Sequence, residues 1–174
     1  MAVDLADYIR DVPDFPKRGI VFKDVMPLFG APEALHEAVE QLAAWAEPRK
    51  PDVVLGAEAR GFVLGAALAY RMGIGFVAAR KPGKLPHFTI SAKYALEYGV
   101  DSLEVHVDAI KPGTRVLVHD DLLATGGTAR AKCELVEQLG GIVVGAAFLV
   151  ELAFLDGRSR LAPCDVHSLI SYDD

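Results

Sequence analysis

Little in this chain suits export, cross-linking or a membrane. Only two cysteines, Cys133 and Cys164, occur in 174 residues, too few for a disulfide framework, and no Cys/His spacing of a metal site accompanies them. Both are expected to be reduced thiols. No apolar run approaches the roughly 20 residues a membrane helix needs. Met1 to Arg10 is amphipathic and acidic, without the basic and apolar regions of a signal peptide. A cytoplasmic protein that engages no membrane is the expectation. Positive charge is also scarce: 18 Lys and Arg face 24 Asp and Glu, for a net charge of −6. Broad nucleic-acid binding depends on neutralising phosphates, so no nucleic-acid partner is expected. The GxxxxGK[ST] loop is absent, and Gly73-Ile74-Gly75 lacks the third glycine of a dinucleotide fingerprint. Repeats, linkers and low-complexity tracts are missing too.

What remains is one good core. Apolar residues make up 52% of the chain, and at this length roughly 70% of the unfolded surface can be buried. A single domain over residues 1–174 is expected. Leu35, Val39, Leu42 and Ala46 recur at helical spacing, with Pro32 near the first turn and Pro48 past the end, predicting a helix from Ala31 to Trp45. Val53 to Gly56, Gly61 to Met72 and Gly75 to Ala79 read as strand, helix and strand. Arg115 to Val118, Thr128 to Leu139 and Ile142 to Val150 repeat that order. Two βαβ units imply an α/β fold around a mostly parallel sheet. Leu5 to Arg10 reads as a short helix, Ile20 to Phe22 as a brief extended piece and His167 to Ser171 as an edge strand. Between the units, Pro82 to Ile110 has no helical period. Alternation at Phe88, Ile90, Leu103, Val105 and Val107 suggests a long hairpin with a polar tip near Ala92 to Asp101. So long an insertion in a small domain is usually functional, and a catalytic lid is the natural candidate.

The stretch from Val116 to Thr128, Val-Leu-Val-His-Asp-Asp-Leu-Leu-Ala-Thr-Gly-Gly-Thr, carries most of the chemistry. An apolar run after the turn Lys111-Pro112-Gly113 reads as a strand buried on both faces. Asp120 and Asp121 then fall at its carboxyl end, the edge where open α/β sheets bind ligands. Ala124 to Thr128 are small enough for backbone N–H groups to reach an anion, and a helix opening near Thr128 adds unpaired donors and a positive dipole end. Two carboxylates upstream would repel a second phosphate but accept hydrogen bonds from vicinal hydroxyls, or meet Mg²⁺ through water. The pattern suits ribose 5-phosphate. Each feature alone has a plainer reading, a solvated turn for Asp120-Asp121 and an ordinary N-cap for Thr128.

This stretch resembles the phosphoribosyl pyrophosphate (PRPP) motif of the type I phosphoribosyltransferases, and Asp120-Asp121-Leu122-Leu123-Ala124-Thr125-Gly126-Gly127-Thr128 has the form of their adenine-using branch. Asp14-Phe15-Pro16-Lys17-Arg18-Gly19-Ile20-Val21-Phe22-Lys23-Asp24 resembles that branch's amino-terminal base-binding segment. Arg60-Gly61-Phe62, Arg80-Lys81-Pro82-Gly83-Lys84-Leu85-Pro86 and Leu96-Glu97-Tyr98-Gly99 match its middle, and Phe148-Leu149-Val150-Glu151-Leu152 its end. The likeness runs in order through nearly the whole chain. It implies a twisted, mostly parallel sheet flanked by helices, with a small hood near residues 12–30 and a flexible hairpin lid near 82–110.

The implied reaction displaces pyrophosphate from C1 of PRPP by a nitrogen of adenine. By resemblance, Ala124, Thr125, Gly126, Gly127 and Thr128 bind the 5′-phosphate, and Asp120 and Asp121 engage the ribose hydroxyls. Arg60, Arg80, Lys81 and Lys84 are the pyrophosphate candidates, one or more acting across the interface of a homodimer. Glu97, in the lid beside Tyr98, is the candidate for proton exchange with the purine. Val21, Phe22, Lys23 and Leu152 are expected around the base. Mg²⁺ is expected with PRPP and pyrophosphate, since no side-chain cage would hold it alone.

Three positions depart from the family's pattern. Lys23 stands where arginine is common, Ala59 where serine is often found, and His119 where an aliphatic residue usually precedes Asp120. Two alternatives stay open: a transferase for another base such as a 6-oxopurine, and a PRPP-sensing binding module that shares the fold without the chemistry. The apolar run Met26 to Phe29 is a candidate dimer surface.

Overall fold

The computed structural model describes residues 3–96 and 99–174. Leu5–Tyr8 forms only a 3-10 turn, capped by the Asp4 carboxylate, which accepts from the Ala6 amide at 3.0 Å. The helix expected to reach Arg10 stops short, since Ile9 is already extended at φ −98° and ψ 126°. Arg10–Pro13 (β1) therefore pairs antiparallel with Val21–Asp24 (β2), Asp11 opposite Lys23. A short helix the sequence did not suggest, Met26–Gly30 (α1), precedes Pro32–Ala46 (α2). Its Leu28 is fully buried, so the stretch expected as dimer surface is partly core; Met26 does remain exposed.

The main sheet contains Val53–Ala57 (β3), Gly75–Ala79 (β4), Arg115–Leu123 (β7), Ile142–Leu152 (β8) and Val166–Tyr172 (β9), in the order β4-β3-β7-β8-β9 and parallel throughout. Arg60–Met72 (α3) links β3 to β4, and Gly127–Gln138 (α4) links β7 to β8. Thr89–Ala95 (β5) and Val100–His106 (β6) form the antiparallel hairpin expected between the units. Its base is anchored: Ala92, Leu103 and Val105 are buried in one cluster with Ala131, Leu135 and Val136 of α4.

Two-residue alternation distributes the core across both faces of the sheet. Val54, Leu117 and Leu149 meet α2 and α3 on one side. Val118, Ala146 and Phe148 meet Ala129 and Cys133 of α4 on the other. β7 runs five residues past the expected end at Val118, carrying His119, Asp120 and Asp121 inside the strand. Ladder pairing overrides the polar composition there: Asp120 stands opposite Phe148 and Leu122 opposite Val150. β9 is the expected edge strand.

Candidate active site

Strands β3 and β7 are neighbours, yet the chain leaves them in opposite directions, into α3 on one face and α4 on the other. That divergence opens a crevice at their carboxyl ends, the place where open α/β sheets take ligands. A cavity of about 290 Å³ occupies it, lined by Ala57 to Arg60, by Lys81, Tyr94 and Leu103, and by Asp120 through Ala129. Sequence segments far apart in the chain meet here.

The loop from Ala124 into α4 forms one wall. Gly126 takes φ +83°, a left-handed conformation that side chains rarely adopt, and among the described residues no side chain caps the helix it precedes. Thr128 is thus not an N-cap. The first amides of α4 remain available, as an anion site requires. Gly126 also packs against Gly157, where a side chain on either residue would meet the other's backbone.

Asp120 and Asp121 supply the opposing chemistry, and they are not equivalent. Lys132, wholly buried on α4, donates from Nζ to Asp120 Oδ2 at 2.7 Å and to the His119 carbonyl at 2.7 Å. The other oxygen, Oδ1, accepts from the Asp121 amide at 3.0 Å. Burial would raise the Asp120 carboxyl, but the Lys132 ammonium outweighs it and holds Asp120 below the ordinary carboxylate value. Asp121 goes the other way: burial, then the charge of Asp120, push it up to about 7, and Arg60 only moderates the rise. Arg60 Nε lies 3.1 Å from Asp121 Oδ2, yet off the axis of a hydrogen bond, and that oxygen has no hydrogen-bond partner among the described residues.

His119 is completely buried. Its Nδ1 lies 2.9 Å from the Ala147 carbonyl, which can only accept, so the proton sits on Nδ1 and the bare Nε2 is left without a partner among the described residues. Burial pushes its pKa down to about 4.

The expected pyrophosphate cations divide. Arg60 and Lys81 line the cavity; Arg80 and Lys84 do not. Lys81 Nζ donates to the Tyr94 hydroxyl at 2.6 Å and pairs with Asp101, tying it to the hairpin. Arg80 is held by Glu58 at 3.1 Å, and the same carboxylate accepts from the Lys81 amide at 2.7 Å. Lys84 is exposed on the following loop.

A second, larger pocket of about 970 Å³ shares Thr125 with the first. Val21, Lys23 and Leu152 line it as expected, joined by Ile20, Leu96, Phe154, Leu155 and Arg160. Phe22 is not among the lining residues. The two-residue period of β2 turns it away, edge-on to Phe15 at 5.1 Å and beneath the Arg60 guanidinium at 5.2 Å. Lys23 donates to Asp11 at 2.7 Å and sits 3.9 Å over the Tyr172 ring. Glu97 and Tyr98 lie outside the described residues.

Sequence reading missed Glu58, Lys132, Phe154 and Arg158. Lys132 had left a signal, a charge on the face of α4 that Ala129, Cys133 and Val136 bury. Arg158 grips the buried Glu151 with two nitrogens, at 3.0 and 2.5 Å, and donates to the Val166 carbonyl at 2.6 Å. That clamp holds the turn whose Gly157 lies against Ala124 and Gly126. Nothing in the spacing of Glu151 and Arg158 announces it.

Comparison with known proteins shows the family. The sequence model of the phosphoribosyl transferase domain matches residues 31–168. The adenine phosphoribosyltransferase of Rubrobacter xylanophilus is 63% identical over 167 residues, covering 95% of this chain and 90% of that protein. Among solved structures, the adenine phosphoribosyltransferase of Thermoanaerobacter pseudethanolicus superposes with a TM-score of 0.94 at 55% identity, over 97% of this chain and 98% of that one. The Saccharomyces cerevisiae adenine phosphoribosyltransferase, complexed with adenine and an imino-altritol bisphosphate, gives 0.91 at 40% identity, over 95% and 96%.

Proposed function

The chain belongs to the phosphoribosyltransferase family, in its adenine phosphoribosyltransferase branch, and we propose from that premise how its residues divide the work. The reaction transfers the 5-phosphoribosyl group of PRPP to adenine and yields AMP and pyrophosphate. The reading rests on one observation: a small-residue anion loop and a carboxylate pair face each other across the switch point, beside a base-sized apolar pocket that shares Thr125.

In this proposal the amides of Ala124 to Thr128 take the 5′-phosphate, and Asp120 and Asp121 accept from the ribose hydroxyls. Adenine lies between Val21 and Leu152, its edge read by backbone groups at Val21, with Lys23 at the rim. Phe22 supports that wall from behind. C1 of the ribose is then held where the two pockets join. As its bond to pyrophosphate breaks, positive charge grows on the ribose ring and negative charge on the leaving group. Arg60 and Lys81 stabilise the latter. Arg80 and Lys84, outside the cavity of their own chain, are assigned to the pyrophosphate of the second chain in a homodimer. Asp120 and Asp121, the carboxylates lining the cavity, would meet an Mg²⁺ ion through water when it is bound with PRPP, and the ion would supply further neutralisation of the leaving group. The hood over residues 12–30 and the hairpin over 82–110 close the site and exclude water. Among the described residues no helix is long and apolar enough to cross a membrane, and a cytoplasmic location is part of the proposal.

Incubation with PRPP, Mg²⁺ and each purine in turn, following pyrophosphate release, tests the assignment. Release is expected with adenine alone, because 6-oxopurines exchange the donor and acceptor positions that Val21 would read. Comparable rates with hypoxanthine or guanine would point to the other transferase, and no release with any base to the binding module. Glu97 is assigned the proton exchange. Glu97→Gln should lower turnover by roughly 10²-fold or more while leaving PRPP affinity nearly unchanged; unaltered turnover removes Glu97 from the mechanism.

A further inference from the structure

We propose that Lys132 is a positioning residue for ribose recognition: through its buried hydrogen bond to Asp120 it sets the carboxylate pair that distinguishes a ribose from a sugar lacking a hydroxyl. The inference rests on the functional reading above. Lys132 lies on the core-facing side of α4, with no solvent exposure, among Ala129, Cys133 and Val136. A lysine there costs more than an apolar residue of the same length unless its ammonium is fully used.

It is used at one place. Nζ holds Asp120 Oδ2 and the His119 carbonyl, both at 2.7 Å, so it fixes the side chain of Asp120 and the backbone just before it together. Asp120 Oδ1 then accepts from the Asp121 amide at 3.0 Å, carrying the constraint one residue further along β7. Gly61 completes the seat. A Cβ on Gly61 would lie 2.7 Å from Asp120 Oδ1, so only glycine lets the start of α3 approach the carboxylate held from the other side by Lys132. Asp120 is therefore held at both carboxylate oxygens while it lines the cavity. Asp121, whose buried Oδ2 lacks a hydrogen-bond partner among the described residues, sits beside it.

Two carboxylates in adjacent positions repel, and the cavity needs both aimed at the same pair of hydroxyls. Arg60 at 3.1 Å serves Asp121, from a side chain 41% exposed and free to reorient toward pyrophosphate. Lys132 cannot reorient, so the partner of Asp120 stays in place through the reaction. The aim of the pair at vicinal hydroxyls thus depends on a residue that never touches the substrate.

The test is calorimetric titration with ribose 5-phosphate and with 2-deoxyribose 5-phosphate, comparing parent, Lys132→Met and a control, Leu135→Ala, that thins the same helix core without touching Asp120. The parent should prefer the ribose compound by about tenfold or more, the effect of a hydrogen bond to a charged group. In Lys132→Met the preference should collapse to within about threefold, with the 2-deoxy compound bound nearly as before, while Leu135→Ala keeps the parental ratio. Should Lys132→Met fail to fold, Lys132→Gln keeps a donor without the charge, and its ratio should fall at least about threefold. A parental ratio in either lysine variant, or a matching collapse in Leu135→Ala, overturns the inference. If the parent binds neither sugar phosphate, the site assignment itself fails and this inference falls with it.

Discussion

His119 is a titratable ring in a place where the family usually has an aliphatic side chain, and its cost is a function of pH. With its folded pKa near 4 and an ordinary value near 6.5, the unfolded chain binds the proton first as pH falls. Stability from this group is therefore complete above about pH 6.5 and is lost as pH drops toward 4, by roughly 1.4 kcal/mol per unit and roughly 3 kcal/mol in all. Asp121 has the opposite sign. Its carboxyl, raised to about 7, takes a proton in the folded state before the unfolded one, so total stability will not report His119 alone. The difference between parent and His119→Val does. Denaturant melts should show the variant gaining on the parent progressively from pH 6.5 to 4; a pH-independent difference contradicts a buried neutral imidazole. Beside it, Lys132 and Asp120 form a pair whose members cannot be removed singly without leaving a buried charge, which costs about 3–5 kcal/mol.

Among the elements, the turn over 153–161 joins the two pockets. Leu152, Phe154, Leu155 and Arg160 line the larger pocket, proposed for the base, while Gly157 presses on Ala124 and Gly126 of the loop proposed for the phosphate. A side chain at Gly157 must displace that loop. Gly157→Ala should then lower kcat/KM for PRPP on the order of a hundredfold, since small misplacements of bound groups are costly, with little change in adenine affinity. Arg158→Met should act more gently, removing about 2 kcal/mol of stability from a clamp whose guanidinium is half exposed. An unchanged PRPP dependence in Gly157→Ala would separate this turn from the phosphate site. This element also marks the limit of what could be read in advance. The βαβ units, the hairpin and the β7–α4 loop follow from local signals: apolar periods, turn glycines, and the resemblance they carry. The extra length of β7 through His119 to Leu123 does not, because only its pairing with β8 forces polar residues into a strand. That Phe22 does not line the larger pocket has a related reason, since a strand's alternation decides which neighbour faces it. Clamps such as Glu58 on Arg80, or Arg158 on Glu151, need three-dimensional proximity that no spacing encodes.

At the scale of the molecule, one topological fact organises the rest. The order β4-β3-β7-β8-β9 places the chain's reversal between β3 and β7, with α3 and α4 on opposite faces, so the crevice is a consequence of connectivity. Signature residues then need only occupy the ends of two adjacent strands to converge. The core holds them there: Val54, Leu117 and Leu149 on one face and Val118, Ala146 and Phe148 on the other are wholly buried, and losing Phe148 to alanine should cost about 3–5 kcal/mol. The antiparallel pairs β1–β2 and β5–β6 lie outside this sheet, and the proposal gives them the control of access. The central claim is that the turn between β7 and α4 captures the 5′-phosphate of PRPP. Calorimetric titration of the protein with PRPP and Mg²⁺ tests it most directly: one saturable site per chain is expected, competed by ribose 5-phosphate, and the absence of any saturable heat would contradict it.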